Sequence, residues 1–336
     1  MSIFELALGP GAISIETELP LPHLLRAGIT SGARPMHRLC PTGARRSAHV
    51  RHIVAERPSV SADPDLATMT VAAPATQWTA QELFFVACLL LERQLQLGGL
   101  VTLHAAAVAR QGRAVLLLGK TGAGKTCTAV RLCRQHGFEL VGNDLCVVGG
   151  TEDAVEAVAG TTGFRLRLSS VARVLPELLG LFPSTRVADA WRTKIDVPPH
   201  QAGVRIAPLP AEVAVVAFVH VDSDYPALVD RPSADLVQRL DLYENALRYI
   251  RGGSTPWLLE GSLGLGPFVP SLDDHATHVR RTATLERLLV RARYVAGPLP
   301  LLAAHLADLL DHSADERRAD RVAVQEGTPC LDRNPR

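Results

Sequence analysis

The chain has 336 residues, with 35 basic against 34 acidic side chains and a formal charge of +1. That balance lacks the basic excess of a nucleic-acid protein, and 47% apolar with 21% charged residues excludes wholesale disorder. At roughly 150 residues per domain the length allows two domains, or one with an appendage.

The beginning of the chain has no basic stretch followed by an apolar one, so no secretory signal is expected. Residues 12–19 alternate apolar and polar and read as a strand. Residues 29–75 are rich in Arg, Pro, Ser and Ala, and the first ~95 residues are otherwise expected to be irregular. A helix is expected from Thr79 to Gln96, with Thr79 as N-cap and Glu82 three residues on. Its apolar run, Phe84 to Leu91, lies between Glu82 and Glu92 and is far short of the ~20 residues that span a bilayer. No membrane association is expected.

Residues 100–109 read as one strand, 110–113 as a turn and 114–118 as a second strand. A glycine-rich loop follows, then a helix from Lys125 to Gln135, with Gly137 suited to its end. Short strands are expected at 138–141 and 145–148. Residues 212–221 form a continuous β-branched run, as in a strand buried on both faces. After Asp222 the pattern turns helical, over 234–250, 271–293 and 299–310, with Ser271 capping the second of these and Asp273 and Asp274 in its first turn. The polar tail, 313–336, is expected to be disordered. Alternating strands and helices imply an α/β core. The division this suggests is an N-terminal extension, 1–96, a phosphate-loop domain, 97–312, and the tail.

The six cysteines, Cys40, Cys88, Cys127, Cys133, Cys146 and Cys330, form no C-x-x-C pair or zinc spacing. Reduced thiols in a cytoplasmic protein are the simplest reading.

Gly119-Lys120-Thr121-Gly122-Ala123-Gly124-Lys125-Thr126 fits G-x-x-x-x-G-K-[ST] without a mismatch, between an apolar strand and a helix. Glycines let backbone N–H groups wrap phosphate oxygens, and the helix N-terminus adds positive potential. Lys125 can reach the β- and γ-phosphates, and Thr126 can place its hydroxyl on Mg²⁺. No N-K-x-D guanine-reading motif and no L-S-G-G-Q transporter signature accompany the loop. A kinase or a regulatory ATPase remains.

The stretch from Leu103 to Val148 resembles the catalytic core of HPr kinase/phosphorylase and its looser HPr-kinase-like relatives. His104 precedes the loop strand, and Asn143-Asp144 ends a strand after it. Weaker similarity continues through residues 164–168, 194–197 and 212–221. The resemblance implies a mixed-sheet phosphate-loop kinase on the fold shared with phosphoenolpyruvate carboxykinase, using ATP and Mg²⁺. It implies that Asp144 is the base for an acceptor hydroxyl, and that His104 and Lys125 are active-site residues. Thr126 and Asp144 are the expected metal-side groups. The family's first acidic residue is Asn143 here, and its glycine- and isoleucine-rich signature has no counterpart between Gly149 and Arg167. The acceptor expected is therefore not HPr but a hydroxyl on another peptide, protein or small metabolite. A nucleotide-binding regulator without transfer activity is the alternative, and a homo-oligomer is compatible with either.

Other residues carry two readings. His104 is a core histidine by its strand context and an active-site residue by its spacing. Asp222 ends an apolar strand and rivals Asp144. Arg165, Arg167, Arg192 and Lys194 follow the loop, and of these Arg165 and Lys194 are the first candidates for phosphate or substrate contacts. His275 and His278 have H-x-x-H spacing, but helix capping accounts for the neighbouring carboxylates. Arg280, Arg281, Arg287, Arg291 and Arg293 read best as a solvated face.

Overall fold

A computed structural model describes residues 2–8, 10–18, 46–63, 67–75, 77–150, 154–183, 189–233, 236–247, 250 and 271–326. The chain begins with β1 (Ser2–Leu8), β2 (Gly11–Thr17), β3 (Arg46–Val54), β4 (Ser59–Ala62) and β5 (Thr68–Ala73), then α1 (Gln77–Leu97). The strands form a five-stranded sheet in the order β1-β2-β3-β5-β4, parallel at β2–β3 and β3–β5. Its inner face, with Ile13, Ile15, Val50, Met69 and Val71, packs on Leu83, Val86 and Leu90 of α1.

Residues 46–73 are thus largely strand, against the expectation of irregular chain. One reason is His52, which is buried at an inward position of β3 and so breaks the apolar alternation. Its ring nitrogens are matched by the Thr17 hydroxyl at 2.9 Å and the Ala73 carbonyl at 3.1 Å, which makes a polar residue acceptable there. α1 starts before Thr79, which lies inside the helix and is not its cap.

The second unit comprises β6 (Leu100–Leu103), β7 (Ala106–Arg110), β8 (Arg113–Leu118), α2 (Lys125–Gln135), β9 (Glu139–Asn143), β10 (Cys146–Gly150), β11 (Val155–Gly160), β12 (Phe164–Arg167) and α3 (Leu168–Val174). It continues with β13 (Lys194–Val197), β14 (Ala211–Val221), β15 (Val229–Pro232), α4 (Leu236–Leu247), α5 (His275–Val290), β16 (Ala292–Gly297) and α6 (Leu299–Glu326). A nine-stranded mixed sheet runs β6-β10-β11-β14-β8-β7-β9, with β16 beside β14 and β15 beside β16. The expected α/β class with a mixed sheet is therefore what the chain adopts. β14 is parallel to both β8 and β16. Both faces of the sheet are covered, which explains the continuous apolar runs of β8 and β14. Val115 and Leu117 join a core with α2 and α6, while Leu116 and Leu118 join one with α4 and α5. Among the described residues no helix is long and apolar enough to cross a membrane.

Several expectations change. Residues 100–109 are two strands, broken at His104 and Ala105. The chain after Asp222 is not all helix: β15 and β16 extend the sheet, and β16 takes residues 292 and 293 from the expected helix. Asp274, not Ser271, caps α5, accepting a hydrogen bond from the Thr277 N–H at 2.8 Å. Helix continues from Ser313 to Glu326, where disorder was expected, and residues 327–336 lie outside the described set. The arginines of 280–293 are not one solvated face. Arg281 is 1% exposed and forms a double hydrogen bond with Asp273 at 3.0 and 2.8 Å, because its side of α5 packs against α1. Arg291 bonds the Val213 carbonyl at 2.9 Å and Arg293 the Asp230 carboxylate at 2.7 Å.

Candidate phosphate-binding and transfer site

The loop 119–126 leaves the carboxyl end of β8, where parallel sheets present ligand sites. Gly119, Gly122 and Gly124 have φ of 136°, 89° and 95°, conformations that side-chain-bearing residues rarely adopt. Space is also closed to a side chain: a Cβ on Gly124 would lie 2.4 Å from Val221 Cγ2. The end of β14 presses on the loop there, and the Val221 N–H donates to the Ala123 carbonyl at 2.9 Å. α2 then begins at Lys125 with no side-chain cap, the arrangement in which first-turn N–H groups can bind an anion. The Lys125 ammonium is mostly buried and donates to the Gly119 and Lys120 carbonyls at 2.6 and 3.2 Å, so it is held along the inside of the loop. Burial pushes the Cys127 thiol up to about 12, so it stays neutral and is no nucleophile.

Thr126 connects the loop to the expected acidic pair. Its hydroxyl donates to Asn143 Oδ1 at 2.9 Å, and Asn143 Nδ2 donates to the Gly163 carbonyl at 3.2 Å. Asn143 is 2% exposed. An aspartate could accept from Thr126 but could not donate to Gly163, which gives the amide a local reason. Thr161 completes the bracket: its hydroxyl donates to the Asn143 carbonyl and accepts from the Leu145 N–H at 3.3 Å, while its carbonyl accepts from the Asn143 N–H at 2.7 Å.

The bracket leaves Asp144 at φ +84°, an uncommon conformation for a residue other than glycine. His104 Nε2 lies 3.2 Å from Asp144 Oδ1. A carboxylate only accepts, so the imidazole proton of this bond sits on Nε2. The break between β6 and β7 presents His104. There its backbone N–H donates to Asn245 Oδ1 at 2.5 Å and its carbonyl accepts from Asn245 Nδ2 at 3.1 Å. The α4 side chain thus replaces the sheet partners that the break removes.

The structure brings His104, Asp144 and Thr126 into one connected site with the loop, by way of Asn143. Asp222 is also beside the loop, one residue past Val221. Its carboxylate accepts from the Asp224 N–H at 3.1 Å and from Arg173 at 2.7 Å. Those partners, the backbone hydrogen bond first, hold its carboxyl below the usual range. Arg165 and Lys194 lie on the two-stranded antiparallel sheet of β12 and β13, where Arg165 is opposite Asp196 and Arg167 opposite Lys194. Arg165 Nε is 3.9 Å from Asp196, and the exposed Arg192 pairs with Asp189 at 3.2 Å. This strand pair joins the site through the Gly163 carbonyl, which accepts from Asn143. His278 Nδ1 faces the Arg281 guanidinium at 3.2 Å, and among the described residues no group of three or more His, Cys, Asp or Glu is placed to hold a metal. A Mg²⁺ ion carried by phosphate needs few protein ligands. Thr126 fits that role: its proton goes to Asn143, so the oxygen lone pairs remain for a cation, with the Asp144 carboxylate on the neighbouring strand end.

Sequence reasoning missed Asn245 and Thr161. Asn245 is 141 residues from His104, with no motif around it, and Thr161 reads as an ordinary strand-end threonine.

No protein-family model matches the chain, and no curated protein matches it in sequence. In structure it is similar to the Hpr(Ser) kinase/phosphatase from Coxiella burnetii, with a TM-score of 0.32 and 12% identity, over 67% of this chain and 98% of that one. A likeness this distant assigns neither family nor activity.

Proposed function

We propose that the chain is an ATP-dependent kinase that transfers the γ-phosphoryl group to a hydroxyl of a peptide or protein side chain of the serine type, in the tailoring of a peptide natural product. The observation that carries the reading is the connection from the phosphate-loop Thr126, through Asn143, to an Asp144 that His104 contacts at 3.2 Å. Phosphoryl transfer asks a protein mainly to position groups and stabilise charge. The loop N–H groups and Lys125 hold the triphosphate. Thr126, with Asp144 close by, would hold Mg²⁺ arriving with the nucleotide, and the ion would supply charge neutralisation at the phosphates. The Asp144 carboxylate takes the proton of the acceptor hydroxyl as the new O–P bond forms and the bond from γ-phosphorus to the bridging oxygen breaks, releasing ADP. His104, through Oδ1, fixes the carboxylate so that its other oxygen serves the acceptor. Arg165 and Lys194 are proposed to meet phosphate or acceptor charge.

The test is transfer by the purified full chain to peptide, protein and small-molecule hydroxyls, read by mass. Asp144→Asn should lower transfer by about 10²–10⁴-fold while nucleotide binding persists; full activity in this variant removes the base. Lys125→Ala should weaken ATP binding sharply. ATP binding with no phosphorylated product from any acceptor would instead favour a regulatory nucleotide-binding protein.

A further inference from the structure

The turn before β13 is tightly built. Thr193 donates to the Asp189 carbonyl through its N–H at 3.1 Å and its hydroxyl at 2.8 Å. The Arg192 N–H donates to Asp189 Oδ1 at 2.9 Å. From the start of α3, the Leu168 and Ser169 N–H groups donate to the Thr193 and Ala190 carbonyls at 3.0 and 3.1 Å. This frame puts Trp191 at the phosphate loop: its Cη2 is 3.8 Å from the point a Cβ on Gly122 would occupy. The indole is 61% exposed, and it is the aromatic among the exposed large apolar side chains described. The Arg167 guanidinium lies 4.0 Å from the ring centroid, and its Nη1 donates to the Trp191 carbonyl at 2.5 Å. Core packing does not account for a ring this exposed; the Arg167 guanidinium lies against it, and a large part of the indole stays in solvent.

We propose that Trp191 is the nucleobase platform of the site: the purine of the bound nucleoside triphosphate stacks on the solvent side of the indole, with Arg167 against the ring. This rests on the reading of the loop as a nucleotide site, and it adds what holds the other end of the nucleotide. A purine is joined to the phosphates through one ribose, so its platform must stand close to the cradle, as Trp191 does. What the geometry offers the base is a stacking face, the exposed indole with Arg167 against it. Stacking accepts any purine, and ATP and GTP therefore bind with similar affinity.

The experiment is calorimetric titration of the full chain with ATP, GTP and inorganic tripolyphosphate, for wild type, Trp191→Ala, Trp191→Phe and Lys125→Ala. Trp191→Ala should weaken both nucleotides by about tenfold or more and leave tripolyphosphate unchanged, with Trp191→Phe recovering most of the loss. Unchanged ATP affinity in Trp191→Ala overturns the proposal, including the case where only the KM for an acceptor rises and the platform belongs to the acceptor. Equal losses for ATP and tripolyphosphate also overturn it, because Trp191 would then only shape the loop. If Lys125→Ala binds tripolyphosphate as wild type does, it is the phosphate-loop reading that fails.

Discussion

Asn143 illustrates how a single amide sets the chemistry around it. It is buried, accepts from Thr126 and donates to Gly163, so both ends of its side chain are used. Asn143→Asp should cost about 1–3 kcal/mol, since a carboxylate there loses the bond to Gly163 and faces a carbonyl oxygen in a buried position. Urea denaturation measures this, and equal midpoints for the two proteins would refute the assignment. Asp144, the next residue, is half-exposed and meets His104, whereas Asp222 is engaged by Arg173 and the Asp224 N–H. Both aspartates end strands near the loop, and their partners rather than their positions distinguish them.

Elements place these side chains by where they stop. β6 and β7 read as one strand because residues 100–109 are apolar apart from Thr102 and His104; the break between them is held by Asn245 of α4. Asn245→Ala should destabilise the fold by about 1–2 kcal/mol and lower the kcat of transfer more than it raises the KM for nucleotide. An unchanged kcat would mean that the clamp does not position His104. α5 offers a separate test at its first turn. The Thr277 N–H, and then Arg93, hold the Asp274 carboxyl down to about 2, against an ordinary value of 3.8. A depressed carboxyl stabilises the fold above its unfolded value and loses that contribution as pH falls through the folded one. The stability advantage of wild type over Asp274→Asn should therefore be full at neutral pH and vanish as pH falls from 3.8 to about 2. Chemical denaturation across that range tests it; a difference independent of pH would contradict the charge assignment. Some strand signals were also obscured at this scale. β3 was obscured by the inward, buried His52, and the start of β16 by Arg291 just before it and Arg293 within it, which bond to β14 and β15.

Across the whole molecule, α1 is the element that joins the N-terminal sheet to the unit carrying the loop. Its Arg93 meets Asp274 at 2.6 Å, and its Gln96 accepts from the buried Arg281 at 2.7 Å. Arg281→Met removes a buried cation and strands Asp273, so it should cost about 3–5 kcal/mol, read as a lower urea midpoint for unfolding. A loss under about 1 kcal/mol would show that water already screens the pair.

The amino-acid sequence by itself determined the phosphate loop, the apolar strands and the helix that follows, because their signals are contiguous: glycine dihedrals, side-chain periodicity and a lysine at fixed spacing. The pairing of His104 with Asp144 was legible only through a family resemblance. Tertiary structure alone decided the clamp by Asn245, the bracket by Thr161, the burial of Arg281 and the placing of Trp191 over Gly122. Each depends on groups far apart along the chain, and local propensity carries no information about which distant donor will satisfy a given acceptor once water is excluded.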